Sequence, residues 1–276
     1  MNKAILALGI MFVFTGSAFA QKGDLNLKSR AALIFDAQQG RAIYSKNTDT
    51  VMPIASITKL MTAMVVLDAQ LPLTEEITID SADIDVIKNT RSRLRVGASL
   101  TRQQLLRLAL MSSENRAAAA LGRAYPGGIE TFVAAMNDKA FELGMGNSYF
   151  VDSTGLSSNN VSTARDLVKM VEAAYGYDLI REFSTTSAHA VELTDDRGSM
   201  QFINSNNLVR SGNWQINVSK TGFLSVAGRC LVMQANITGK PVIIVLLDSN
   251  GKSDRIGDAN RIKKWMEASL ARKRSS

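Results

Sequence analysis

Alternation of apolar and polar residues predicts strands near both ends of the chain. Ala31 to Asp36 and Arg41 to Tyr44 flank the turn Gln38-Gln39-Gly40, which predicts an antiparallel hairpin. Three later runs have the apolar, β-branched composition of buried strands, and they cover residues 218–220, 230–237 and 242–247. Thr238-Gly239-Lys240-Pro241 predicts a hairpin turn between the last two of these runs.

The middle of the chain has the periodicity of buried helices. After Ser56, apolar residues recur at helical spacing as far as Leu67, and Pro53 marks the boundary upstream. Further helices are predicted over residues 100–124, 129–143, 163–175 and 258–270. We therefore predict an α/β (α+β) fold with a mainly antiparallel sheet, flanking helices and an all-helical subdomain inserted at roughly 75–175.

The first twenty residues have the three parts of a secretory signal peptide. Asn2-Lys3 supplies a positive start, Ala4 to Phe14 an apolar run, and Ala18-Phe19-Ala20 a cleavage site. The apolar run is shorter than the roughly 20 residues that span a bilayer, so we expect cleavage after Ala20 and no stable membrane anchor. The mature chain of 256 residues then carries a formal charge of +6, and we expect it in the periplasm.

The composition excludes several classes of function. Cys230 is the only cysteine, which excludes an internal disulfide and a thiolate metal cluster. His189 is the only histidine, and it has no nucleophile-elbow motif to complete a Ser-His-Asp triad or other histidines to hold zinc. The positive charges are dispersed without a basic-aromatic platform, so nucleic acid is not an expected partner.

Three short motifs supply a different hydrolytic chemistry. They are Ser56-Ile57-Thr58-Lys59, Ser113-Glu114-Asn115 and Lys220-Thr221-Gly222, in that order. Residues three apart on a helix share a face, so the amine of Lys59 can reach the hydroxyl of Ser56. An ammonium accepts no proton, so burial and a second cation, for which Lys220 is the candidate, must lower the pKa of Lys59.

The order of the motifs selects among weaker matches. Ser249 and Lys252 form a second Ser-x-x-Lys, but this pair follows a predicted strand and lies after the Lys-Thr-Gly, so we interpret it as a surface turn. Lys-Thr-Gly occurs once, and its chemistry requires a strand edge where Gly222 lets the backbone approach closely.

The chain resembles the low-molecular-mass penicillin-binding proteins, which are serine D-Ala-D-Ala peptidases related to serine β-lactamases. The resemblance covers nearly the whole mature chain and implies one DD-peptidase domain over residues 21–276. Besides the three motifs it rests on Pro53-Ile54-Ala55, Leu110 to Ala118, Met136 to Ala140, Leu143-Gly144-Met145, Ser162 to Leu167, Asn204 to Leu208 and Ala227 to Leu231. The resemblance is strongest to the periplasmic D-Ala-D-Ala endopeptidase subgroup, in Pro53 to Thr62 and Met111 to Ala118.

The resemblance implies a role for each catalytic motif residue. Ser56 is expected to be the acylated nucleophile and Lys59 its general base. Ser113 is expected to carry a proton toward the leaving amine, while Asn115 orients Lys59 and the substrate amide. The mechanism implies neither a cofactor nor a metal.

The resemblance also implies a substrate-binding strand. Lys220 and Thr221 are expected to bind the terminal carboxylate, with clearance from Gly222. Backbone N–H groups of Ser56 and Phe223 are expected to form the oxyanion hole. The expected partners are cross-linked peptidoglycan as substrate and β-lactams as covalent inhibitors.

Several alternatives stay open at the level of sequence. We favour an endopeptidase, partly because the chain ends after its final helix without the β-rich domain and amphipathic anchor common among carboxypeptidases. A carboxypeptidase acting on pentapeptide stems and a non-catalytic β-lactam or wall-binding sensor remain possible. A class A β-lactamase would need a deacylating glutamate, which Val151 to Leu156 does not offer. The roles of Lys252, Arg255 and Arg261 stay open: we favour solvated surface charges, with assistance to substrate binding by one of them as the alternative.

Overall fold

The sheet at the centre of the fold joins the two ends of the chain. The computed structural model describes residues 25–192 and 198–274, so the predicted signal peptide over residues 1–20 lies outside the described residues. The strands are β1 (Ala31–Asp36), β2 (Arg41–Lys46), β3 (Met52–Pro53), β4 (Glu76–Thr78), β5 (Ser99–Thr101), β6 (Val161–Ser162), β7 (Ala188–Glu192), β8 (Ser199–Ile203), β9 (Gln215–Leu224), β10 (Gly228–Ile237) and β11 (Lys240–Ser249). The helices are α1 (Thr58–Asp68), α2 (Arg102–Met111), α3 (Asn115–Arg123), α4 (Gly128–Glu142), α5 (Ala164–Tyr175), α6 (Asp178–Thr185), α7 (Asn207–Arg210) and α8 (Asp254–Arg274).

The main sheet has five antiparallel strands in the order β2-β1-β11-β10-β9. Helices cover both of its faces, with α5 on one side and α8 on the other. In β11, Val245 and Leu247 join the core beneath α5, whereas Ile244 and Leu246 join the core beneath α8. Burial on both faces explains why β10 and β11 contain continuous apolar runs, and the helices on both sides of the sheet confirm the predicted α/β class.

A helical layer lies over one face of the sheet. Helix α1 is at its centre, and every residue from Thr58 to Val66 is buried. Between residues 75 and 175 the chain contributes helices α2 to α5, together with the short ladder of β4 and β5. Among the described residues no helix is long and apolar enough to cross a membrane.

The predicted helix over residues 100–124 is wrong in one important respect, because the chain forms two helices there. Helix α2 ends at Met111, and the side chain of Glu114 accepts a hydrogen bond from the N–H of Arg116 to begin α3. Between them Ser113 has a φ of +63°, in the left-handed region that no helix accommodates. Apolar periodicity continues across the break, which is why the pattern did not show it.

The hairpin of β7 and β8 and helices α6 and α7 were not predicted. Each strand of the hairpin has only one buried residue, Val191 in β7 and Phe202 in β8. The sequence of the hairpin therefore lacks the repeated apolar positions that predict a strand. The sole histidine, His189, lies on β7, where burial and the charge of Arg107 lower its pKa.

Asp258 ties helix α8 to the segment that precedes β1. Its carboxylate is fully buried and accepts hydrogen bonds from the N–H of Lys28 at 3.0 Å and from the N–H and hydroxyl of Ser29 at 2.8 and 2.6 Å. It also pairs with Arg261, which therefore has a defined partner rather than being a free surface charge.

We predict that Asp258→Ala lowers the free energy of unfolding by about 2–4 kcal/mol, because it leaves buried N–H groups without acceptors. Urea denaturation followed by circular dichroism measures this change. Asp254→Ala is the control, since Asp254 on the same helix pairs with the exposed amine of Lys28 and should cost less. Equal losses in the two variants would contradict this assignment of Asp258.

Candidate active site

Ser56 lies on a tight turn against which two glycine-containing segments pack closely. It belongs to a short 3-10 helix, Ala55–Ile57, directly before α1, and Ala55 has a φ of +49°. A Cβ atom on Gly155 would lie 2.1 Å from the carbonyl oxygen of Ala55, and one on Gly222 would lie 2.9 Å from that of Ile54. Only glycine permits these approaches, so both segments determine where the Ser56 hydroxyl lies.

Lys59 makes three contacts from a fully buried position. Its Nζ lies 3.0 Å from the Oγ of Ser56, 2.7 Å from the Oδ1 of Asn115 and 2.6 Å from the carbonyl oxygen of Thr154. The carbonyl of Thr154 can only accept hydrogen bonds, and so can the Oδ1 of Asn115. A neutral amine directs its two N–H groups to them, which leaves its lone pair facing the Ser56 hydroxyl.

The electrostatics favour this neutral amine. Burial disfavours the ammonium and lowers the pKa of Lys59 to about 7, against the opposing charges of Asp152, Glu114 and Asp85. Burial also lowers the pKa of Lys220 well below its usual value, assisted by the positive charges of Lys59 and Arg255. Desolvation is thus the leading cause of the lowered pKa of both lysines, and repulsion from Lys59 lowers the pKa of Lys220 further.

Ser113 lies opposite, at the break between α2 and α3. Its Oγ is 2.9 Å from the Nζ of Lys220, which also donates to the carbonyl oxygen of Thr221. Lys220 is 1% exposed. The structure thus places one hydroxyl beside each buried amine, Ser56 beside Lys59 and Ser113 beside Lys220.

Strand β9 carries the third motif along the side of the site. It is an outer strand of the sheet, and it contacts the turn that carries Ser56. The hydroxyl of Thr221 lies 2.7 Å from that of Ser205, whose N–H donates to the carbonyl of Met111 at the end of α2. Ser205 is therefore a site residue. In the sequence it stands out only as part of the match over Asn204 to Leu208, with no role of its own.

Phe223 differs from its neighbours on β9, because its side chain faces solvent. It is 53% exposed, and the guanidinium carbon of Arg229 lies 4.3 Å from the centre of its ring. The backbone of Phe223 lies next to Gly222, which packs on the Ser56 turn.

The loop from residue 152 to 160 holds the far side of Lys59. Asp152 accepts hydrogen bonds from the N–H groups of Thr154, Gly155 and Ser157 at 2.6–3.0 Å. Its carboxylate therefore folds the loop that presents the Thr154 carbonyl. The Asp-Ser-Thr-Gly turn pattern is the feature of the sequence that indicates this role.

Arg255 corrects one expectation, because it is not a solvated surface charge. From α8 its Nη1 donates to the carbonyl oxygen of Gly222 at 2.6 Å and to that of Cys230 at 3.1 Å. Two backbone carbonyls at the end of β9 and on β10 supply acceptors that the sequence could not show. Lys252 is exposed in a turn, as expected, and its motif partner Ser249 is buried beside Ser29.

Comparison with known proteins shows the family of the chain. A family model described as D-alanyl-D-alanine carboxypeptidase, peptidase S11, matches residues 17–251. The chain belongs to this family. The resemblance inferred from the motifs is thereby confirmed, and the S11 family is a family of serine peptidases.

Relatives within the S11 family extend the match. Proteins named D-alanyl-D-alanine endopeptidase from Pseudomonas aeruginosa and Escherichia coli K12 are each 48% identical over 241 residues, covering 87% of this chain and 78% of theirs. The crystal structure of the Streptomyces K15 DD-transpeptidase matches with a TM-score of 0.81 at 32% identity, over 88% of this chain and 98% of that one. The S11 fold is therefore shared across most of the chain.

We predict that Gly155→Ala slows acylation by a fluorescent penicillin by about 10- to 100-fold, because displacing Ala55 misplaces the hydroxyl of Ser56, the expected nucleophile. Gly239→Ala is the matched control, since both glycines have a φ of +80° but a Cβ on Gly239 has open space. Both variants should lose a similar amount of stability from backbone strain. An unchanged acylation rate in Gly155→Ala would contradict the dependence of Ser56 on this contact.

Proposed function

We propose that this S11 peptidase is a D-alanyl-D-alanine endopeptidase that hydrolyses DD-cross-links in peptidoglycan through an acyl-enzyme on Ser56. One observation carries the chemistry: a buried amine on Lys59 lies 3.0 Å from the Ser56 hydroxyl, with acceptors at its other two contacts. The 48% identity to proteins named endopeptidase supports the choice of substrate.

Acylation begins when Ser56 attacks the carbonyl carbon of the penultimate D-Ala. The neutral amine of Lys59 takes the hydroxyl proton as the Oγ–C bond forms, and electrons move onto the carbonyl oxygen. Backbone N–H groups of Ser56 and Phe223 would stabilise that developing oxyanion. Collapse of the tetrahedral intermediate then breaks the C–N bond of the cross-link.

The leaving amine needs a proton when that bond breaks. Ser113 can supply it from its hydroxyl and recover a proton from Lys220, whose Nζ lies 2.9 Å away. One proton then passes from Lys59 to Lys220 through solvent, so that Lys59 is neutral again. Water attacks the ester as Lys59 takes its proton, and that proton goes to the Oγ of Ser56 when the ester bond breaks. The reaction thus uses the amine of Lys59 for the attack and the amine of Lys220 for the departure, and protons balance over the full cycle.

The terminal carboxylate of the substrate would bind along β9. Thr221 offers a hydroxyl there, and its contact with Ser205 gives that hydroxyl a fixed direction. The guanidinium of Arg255 attracts an anion to this end of the site, and a bound carboxylate would in turn favour the protonated form of Lys220. Gly222 leaves room for the substrate backbone to approach the strand.

The family description carries a second candidate, a carboxypeptidase that releases free D-Ala from pentapeptide stems. Both reactions share the same acyl-enzyme and differ only in the amine that leaves. An endopeptidase expels the side-chain amine of a cross-linked residue. We favour the endopeptidase because the two relatives that match at 48% identity carry that name.

The proposed location follows from the first residues and the substrate. A cleaved signal peptide over residues 1–20 would export residues 21–276, as a single DD-peptidase domain with its helical insertion, to the periplasm. Peptidoglycan is found there, so cleavage of its cross-links would contribute to cell wall remodelling and cell shape. β-Lactams, which resemble the D-Ala-D-Ala end of the substrate, would acylate Ser56 and leave slowly.

We predict that the mature protein converts a cross-linked muropeptide dimer to monomers, and that Ser56→Ala abolishes this conversion. Mass spectrometry of products from equal amounts of dimer and monomeric pentapeptide makes the measurement. Lys252→Ala, a change at an exposed lysine in the second Ser-x-x-Lys, should retain full activity. Release of D-Ala from pentapeptide alone would establish the carboxypeptidase, and penicillin labelling without any product would favour a sensor.

We predict that acylation depends on pH through Lys59. Its lowered pKa of about 7 means that the amine is neutral above this value and protonated below it. The rate of acylation should therefore be level above pH 7 and fall by about tenfold per pH unit below it. Stopped-flow measurement with a fluorescent penicillin between pH 5 and 9 tests this. A rate that stays constant down to pH 5 would contradict a neutral Lys59 as the base.

A further inference from the structure

A loop between β4 and β5 reaches the active site, where the negative charge of its Asp85 opposes the lowering of the Lys59 pKa. Its carboxylate, Asp85, is 8% exposed and is satisfied within the loop. The Oδ1 of Asp85 accepts hydrogen bonds from the N–H groups of Ile87 and Lys88, both at 2.9 Å. Its Oδ2 accepts from the N–H of Thr90 at 2.9 Å and from the hydroxyl of Thr90 at 2.7 Å.

The contact with Asp85 fixes the direction of the Thr90 hydroxyl. A carboxylate can only accept, so the single hydroxyl proton of Thr90 is committed to Asp85. The Oγ1 of Thr90 also lies 2.9 Å from the Nδ2 of Asn115. Thr90 must be the acceptor in that contact, which requires the NH2 group of Asn115 to face the loop.

That requirement determines which atom of Asn115 faces Lys59. With Nδ2 directed at Thr90, the amide turns its Oδ1 to the Nζ of Lys59 at 2.7 Å. If the amide were flipped, its Nδ2 would donate to the lone pair of the Lys59 amine, and its Oδ1 would face the Oγ1 of Thr90, acceptor to acceptor. The amine would then have to donate to the Ser56 hydroxyl instead of accepting its proton.

We propose, on the basis of the function proposed above, that Thr90, held by Asp85, is a positioning residue for acylation that selects the productive orientation of the Asn115 amide. The path runs from the Asp85 carboxylate through Thr90 and Asn115 to Lys59 and ends at the Ser56 hydroxyl. Every step has a defined donor and acceptor. Thr90 touches neither the substrate nor the reacting atoms in this role.

The exposure of Thr90 determines what replaces its hydroxyl in a variant. Thr90 lies at the surface, so water can reach the Nδ2 of Asn115 when the hydroxyl is removed. Water donates and accepts equally well, and it therefore satisfies the amide without selecting its orientation. Removing the Thr90 hydroxyl is therefore expected to leave the site folded and the Nδ2 of Asn115 hydrated. The amide of Asn115 would lose only its preferred orientation.

Thr90→Val and Thr90→Ser form the matched pair that tests the proposal. Valine keeps the shape and removes the hydroxyl, whereas serine keeps the hydroxyl. Saturation kinetics with a fluorescent penicillin separate the limiting acylation rate from the preceding binding constant. We expect valine to lower the limiting rate by about tenfold with an unchanged binding constant, and serine to retain at least about half of it.

A double-mutant cycle with Asn115→Ala tests whether Thr90 acts through that amide. If it does, adding Thr90→Val to Asn115→Ala causes no further loss of acylation rate. An equal loss in both backgrounds would overturn the proposal, and so would equal losses from valine and serine or an unchanged rate with valine. Thermal unfolding is measured for each variant, and Thr90→Ala replaces valine in the cycle if valine lowers the unfolding temperature.

Failure of this inference is distinguishable from failure of the proposed function. If the peptidase proposal fails, the wild-type chain releases no product that depends on Ser56. If only the role of Thr90 fails, the wild-type chain cleaves its substrate and Thr90→Val acylates at the same rate.

Discussion

The burial of the Lys59 amine is the constraint on which the rest of this structure depends. An ammonium in that position would lose its hydration, so the fold favours the neutral form and creates a base near neutral pH. A neutral amine is useful only if its lone pair faces the nucleophile. The carbonyl of Thr154 and the amide oxygen of Asn115 impose that direction, because neither can donate. The helical layer, the loop from residue 152 and the outer strand of the sheet all contribute to this one environment.

Backbone strain occurs at both places where a hydroxyl is presented to the site. Ala55 precedes Ser56 with a φ of +49°, and Ser113 itself has a φ of +63°. Both residues are non-glycine in the left-handed region, which the surrounding structure must stabilise. At Ala55 that support comes from glycines at positions 155 and 222, whose missing Cβ atoms let two segments pack on the turn. The strained residues are thus held by contacts from segments distant in the sequence.

The sheet connects the site to both ends of the chain. Strand β9 carries Lys220 and Thr221, and it is supported through β10 and β11 by β1. Helix α8 reinforces this arrangement from the other face, because Arg255 bonds to carbonyls of Gly222 and Cys230 while Asp258 holds the segment before β1. A helix outside the motifs therefore stabilises the strand that we expect to bind substrate.

Local sequence determined the elements whose signals lie within a few residues: the opening hairpin, the helix after Ser56, the strands from residue 218 and the nucleophile-base pair three residues apart. Each motif is weak by itself, but the order of the three motifs along the chain was enough to indicate the family. The break at Ser113, the carbonyl of Thr154, the hydroxyl of Ser205 and the role of Arg255 depended on tertiary structure. Each arises from contacts between segments separated in the sequence, and periodicity reports only which face of an element is apolar. The sequence therefore indicated the groups that we expect to react, whereas packing alone decided their protonation, direction and distance.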